Sequence, residues 1–219
     1  MEKLIEKLNN PFDGLNANDK SAFQKKCAEL AKKLFNNYYF QCGEKKYYCV
    51  EIEFYYYDED HFNLDWNEVT YERDGYETED IFYHLSGMDI CFNSHLLKQK
   101  GKKVGYGGGI LIRSIMEIVD MKKEITVGPL TCVNKMLNAC KGEKMPKIVF
   151  APKQRNCIPK ETYRYLGKND FKAIPEKKNK DGELKLAYYD SSLSEKEWNK
   201  ARSSYYKNRL VNIKEGNYL

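Results

Sequence analysis

A chain of 219 residues is long enough to bury one sizeable core, and 37 basic against 32 acidic side chains leave a net charge of only +5. That dense but mild balance demands neither a nucleic-acid nor a membrane partner, so any phosphate contact has to come from a local basic patch. No apolar run approaches membrane-spanning length, the start MEKLIEKLNN is too charged for a secretory leader, and seven cysteines without a CxxC pair fit the reduced thiols of a cytoplasmic protein.

Asn18 is placed to cap a first helix reaching about Asn36, because Phe23, Cys27, Leu30, Ala31, Leu34 and Phe35 recur at helical spacing. That stripe reads as core. A short strand from Tyr38 and the turn CGEKK then lead into the stretch that organises the chain, YYCVEIEFYYYDEDH, from Tyr47 to His61. Alternate side chains of a strand share a face, so Cys49, Glu51, Glu53 and Tyr55 are expected on one side and Val50, Ile52, Phe54 and Tyr56 on the other. Two glutamates beside aromatic residues read either as the solvated face of an antiparallel sheet or as the carboxylates of a site.

From Asp58 to Asp80, ten Asp or Glu residues are interrupted by one basic residue, Arg73, the composition of a solvated loop. Strand character returns from Ile81 to Asn93, where Gly87 suggests a bulge or a close backbone approach. A basic, Gly-rich loop, SHLLKQKGKKVGYGG, follows; its Lys98, Lys100, Lys102 and Lys103 serve either solubility or phosphate contact. In the next strand, GGILIRSI, Arg113 is the only charge. Buried, it requires an anion, with Glu53 or Glu51 the obvious partner; exposed, it marks the end of the strand. Gly128-Pro129 precedes a helix from about Thr131 to Cys140, closed by Gly142. Beyond it the sequence suggests a hairpin around KNKDGEL and a late helix capped by Ser194, with Glu197 three residues on.

Taken in order, these segments resemble one known family, the alkylpurine (3-methyladenine) DNA glycosylases of the alkyladenine type. ELAKKLF looks like that family's LAR-x-L-L helix, and Glu51-Ile52-Glu53-Phe54-Tyr55 like its E-T-E-A-Y. Gly87-Met88-Asp89-Ile90-Cys91-Phe92-Asn93 is similar to its G-M-x-x-C-x-N, and Gly109-Ile110-Leu111-Ile112-Arg113 to its V-L-L-R-A strand. Gly128-Pro129 and the helix after it resemble its G-P-x-K-L. The likeness runs from about Glu29 to Cys140; residues from about Phe150 onward match poorly. The resemblance implies an α+β fold, a single domain over the whole chain with a curved, mainly antiparallel sheet flanked by helices. It also implies hydrolysis of an N-glycosidic bond, as in base excision during DNA repair. Glu53 would activate water and Arg113 would sit beside it. Tyr55, His61 and Tyr83 would wall the base pocket, and Asn93 would read an edge of the base.

Two departures concern the partner. Ser86 stands where the family carries a large side chain, usually Tyr, that wedges into the duplex; a serine leaves the gap of an extruded base unfilled. The acidic run replaces an Arg-rich, DNA-contacting segment, and carboxylates repel a phosphate backbone. The expected substrate is therefore a modified or unusual purine in a nucleotide or single strand in preference to duplex DNA, for which weak binding is expected. The alternative is a non-catalytic purine-nucleotide-binding protein that sequesters its ligand in the same pocket. No cofactor is expected and no metal, because His61, His84 and His95 lack zinc-type spacing.

Overall fold

The N-terminal stripe forms α1 (Lys20–Asn37), which buries Cys27, Leu30, Ala31, Leu34 and Phe35. The structure, a computed structural model, describes residues 20–59, 62–63, 70–77, 79–142, 144–152, 155–162 and 187–194. His61, the KNKDGEL segment and the helix expected after Ser194 lie outside them. A hairpin turn at Gly43 joins β1 (Tyr38–Cys42) to β2 (Lys45–Asp58), the organising strand. After β3 (Phe62–Asn63) come β4 (Arg73–Tyr76), β5 (Ile81–His84), β6 (Gly87–Cys91), β7 (Ser94–Gln99), β8 (Lys102–Val119) and β9 (Lys122–Val127). The second helix, α2 (Pro129–Cys140), is followed by β10 (Lys147–Phe150), β11 (Pro159–Thr162) and β12 (Ala187–Asp190).

The described strands form one sheet with the main order β10-β1-β2-β8-β6-β5, and each pairing along that path is antiparallel. The fold is thus α+β and mostly sheet. Its centre is the long ladder of β2 on β8. On one face Ile52, Phe54 and Tyr56 of β2, Ile110 and Ile112 of β8, and Met88, Ile90 and Phe92 join the buried faces of both helices in a single core. Pro129 opens α2 at its first turn, where a missing N–H costs nothing, and Lys141, not Gly142, takes the left-handed cap at φ 52°.

Three sequence expectations change. Cys49 does not share the face of Glu53: it lies in the main core, while Val50 turns into a separate cluster with Met116 and Leu193. The cause is a pair of register shifts on either side of Glu51, matched on β8, where Ile112 and Ile115 both face the core although three residues apart. The stretch Ile81–Asn93 is not one bulged strand. Leu85 and Ser86 form a two-residue turn between β5 and β6, pairing His84 with Gly87. Nor is the lysine segment a loop: Lys100 (φ 48°) and Gly101 (φ 83°) make a tight turn with positive φ at both central positions, the geometry that joins β7 to β8.

Candidate functional site

Parity places Glu53 and Tyr55 on the face of β2 opposite the core, and antiparallel pairing carries that face across the sheet. Glu53 stands opposite Leu111, Leu111 opposite Asp89, and Asp89 opposite Phe82, a single row over four strands. Among the described residues, two clusters of buried charged side chains lie on this face.

The first is built on Glu53, whose side chain is fully buried. Arg113 Nη1 donates to Glu53 Oε1 at 3.0 Å, and the Tyr55 hydroxyl donates to Oε2 at 2.6 Å. Glu51 joins at the register shift: Ser114 Oγ donates to its Oε2 at 3.0 Å, while its Oε1 lies 3.7 Å from Arg113 Nε, within ion-pair reach but beyond a hydrogen bond. One guanidinium thus faces two carboxylates. The backbone of Arg113 is itself held, its carbonyl accepting from Gly128 N–H at 2.8 Å just before α2.

The second group is one that sequence reasoning missed. Arg73, which composition assigns to a solvated loop, is buried. Its Nη2 donates to Asp89 Oδ2 at 2.7 Å, Nη1 to the Gly108 carbonyl at 3.1 Å, and Nε to the Tyr71 carbonyl at 3.3 Å. The guanidinium crosses the sheet at Gly109, where an added Cβ would lie 2.7 Å from Arg73 Nη1 and 2.8 Å from the Ile90 carbonyl oxygen. Only glycine leaves that passage open. On the far side of Asp89, His84 Nε2 lies 3.2 Å from Oδ1, and Ser86 N–H donates to His84 Nδ1 at 3.2 Å. Since Nδ1 accepts, the ring proton resides on Nε2 and is given to Asp89. Burial alone would raise the Asp89 carboxyl, but the His84 hydrogen bond and the Arg73 charge outweigh it and hold it below the ordinary range. Phe82 stacks on His84, and Arg73 lies over the Phe82 ring at 4.7 Å. Two signals were available in the sequence: one basic residue in an acidic run, and one acid, Asp89, inside the apolar strand GMDIC.

Other expected site residues separate. Tyr83 pairs with Met88 and packs against the core on the opposite face, with burial pushing its phenol up to about 12. It does not wall the same site as Tyr55. Asn93 is half-buried in the connection between β6 and β7, and His61 lies outside the described residues. Ser86 occupies the β5–β6 turn, its hydroxyl 2.9 Å from the Tyr71 hydroxyl, beside Leu85, which is 92 % exposed. Lys98, Lys100, Lys102 and Lys103 all lie in the β7–β8 hairpin. Cys91, 3.9 Å from Arg73 Nη1, has its thiol pushed up to about 11 by burial despite that cation, which leaves it protonated at neutral pH. From the poorly matched C-terminal third, β12 pairs with β2 along Glu51–Glu53, so it forms the edge of the site.

Among the described residues no three His, Cys, Asp or Glu side chains gather as metal ligands would, and no described helix is long and apolar enough to cross a membrane. No family model, no characterised protein and no solved structure matches this chain.

Proposed function

We propose that this protein hydrolyses the N-glycosidic bond of a modified or unusual purine, carried in a nucleotide or a single strand in preference to a duplex. The observation that supports this reading best is the buried Glu53 carboxylate, fixed by Arg113 on one oxygen and Tyr55 on the other. Such hydrolysis needs an oriented carboxylate to take a proton from water, a counter-charge beside it, and an aromatic wall for the base. Glu53 accepts the water proton as oxygen bonds to the sugar carbon, and the departing base keeps the electron pair of the broken C–N bond. Arg113 supplies the counter-charge and fixes the direction of the carboxylate, and Tyr55 stacks on the base. The ordered motifs of the alkylpurine glycosylase type support the same roles.

One observation favours a second reading, a purine-nucleotide binder without turnover: both oxygens of Glu53 already accept hydrogen bonds from the protein. Incubation with a panel of modified nucleosides, nucleotides and oligonucleotides separates the two. Release of free base from any member supports the hydrolase. Ligand returned intact after denaturation, with no base from any substrate, assigns the sequestering role.

A further inference from the structure

The β7–β8 hairpin outruns its neighbours. Pairing of β2 with β8 ends at Asp58 opposite Tyr106, and pairing of β4 with β7 ends at Arg73 opposite Leu96. Residues 97–104 therefore have, among the described residues, only each other as ladder partners. This two-stranded ribbon, LKQKGKKV, carries four lysines and no acid. Lys98, Lys100 and Lys102 are exposed and form no ion pair among the described residues. Two described acids stand at its base, with Glu59 accepting from Gly105 N–H at 2.7 Å and Asp74 Oδ1 3.5 Å from His95 Nδ1.

The ribbon is continuous with the site. Tyr57 lies on the same side of β2 as Glu53 and Tyr55, and Lys103 Nζ sits 5.8 Å from the centre of the Tyr57 ring. A carboxylate, two tyrosines and the cross-strand pair Lys98 and Lys103 thus follow one another along one face, with Lys100 at the turn and Lys102, opposite Gln99, on the other side of the ribbon. Lys103 precedes Leu111, the register partner of Glu53, by eight residues of β8. At about 3.3 Å per residue that is roughly 26 Å of strand. A stacked strand advances about 3.4 Å per nucleotide, so the interval corresponds to about eight nucleotides. No single nucleotide with its base at Glu53 reaches these lysines with its own phosphate.

We infer that the β7–β8 ribbon is a phosphate-gripping arm, and that the ligand of the Glu53 site is a single-stranded nucleic acid extending about eight nucleotides from the target base to Lys98, Lys100 and Lys102. This rests on the purine reading of the Glu53 site but is tested by binding, without turnover. The probes are a labelled single-stranded tetranucleotide, a hexadecanucleotide and the corresponding duplex, each titrated between about 50 and 200 mM salt. Three neutralised phosphates in a single strand contribute a log–log slope of about −2, a loss of roughly twentyfold over that range. The expected result is that slope for the hexadecanucleotide above that of the tetranucleotide. It should vanish in a Lys98→Ser, Lys100→Asn, Lys102→Ser variant and return in the triple Lys→Arg variant.

Equal slopes for the two lengths, or an unchanged slope in the Ser/Asn/Ser variant with a parental melting curve, overturn the arm. Tighter binding of the duplex than of the single strand overturns the single-strand assignment and points to the exposed Leu85 at the β5–β6 turn. Length-dependent binding with no base released from any substrate leaves the arm standing and removes the hydrolase. Base release with equal slopes does the reverse.

Discussion

The two polar groups share a sheet face, a row and a neighbour, yet they are built to opposite ends. Around Arg73 the account closes: one guanidinium, one carboxylate, each guanidinium nitrogen donating within the protein, and both Asp89 oxygens engaged. Around Arg113, among the described residues, two buried carboxylates face one guanidinium, and Glu51 Oε1 has no hydrogen-bond partner there. A closed buried pair fixes geometry; two carboxylates facing one guanidinium are the arrangement the proposed hydrolysis uses. Arg73 anchors the start of β4 across the sheet, and Arg113 presents Glu53.

Substitutions should expose this difference, and under the proposed hydrolysis the largest effect belongs to Glu53. Glu53→Gln is nearly isosteric but cannot take up a proton, so base release should fall by about 10²- to 10⁴-fold with little change in melting temperature. Parental activity in that variant would move the role to Glu51 or away from this face. Next comes Arg73→Ala. It takes the cation from buried Asp89 and should destabilise by about 3–5 kcal/mol in denaturant titration, as should Arg113→Ala, which takes one from buried Glu51 and Glu53. A parental midpoint in either variant would show that its guanidinium does not hold the fold.

Acid sharpens the contrast further. The Asp89 carboxyl is depressed in the folded state, so the stability it contributes is fully present above the ordinary aspartate value of about 3.9 and is lost as pH falls towards its folded value. Asp89→Asn should be less stable than the parent at neutral pH and show a shallower loss of stability below about pH 4. Parallel acid-unfolding curves for the two proteins would remove Asp89 as the responsible group. The smallest effect is expected at Tyr83, whose hydroxyl is buried without a hydrogen-bond partner among the described residues. Tyr83→Phe removes that unsatisfied group and should be neutral or stabilising by up to about 1 kcal/mol, with base release unchanged. A large loss of turnover would put Tyr83 back in the site.

What the sequence determined by itself was what alternation determines. Side-chain direction along a strand is a property of the backbone, so the opposed faces of Ile52, Phe54 and Tyr56 against Glu53 and Tyr55 were legible, as was the apolar face of α1. The sequence also showed that Arg113, if buried, needs an anion, with Glu53 or Glu51 as candidates; the structure decided that it is buried and faces both. Tertiary structure alone decided whatever depends on a partner strand. Register belongs to pairs, not to single chains, so the shift that sends Cys49 into the core and Glu51 to Ser114 had no local signature. The turn at Leu85–Ser86, not the composition of β5, put Tyr83 on the core face. Arg73 reads as loop because local composition averages over its neighbours; its burial depends on a glycine and an aspartate in strands distant in sequence, brought beneath it only when the sheet assembles.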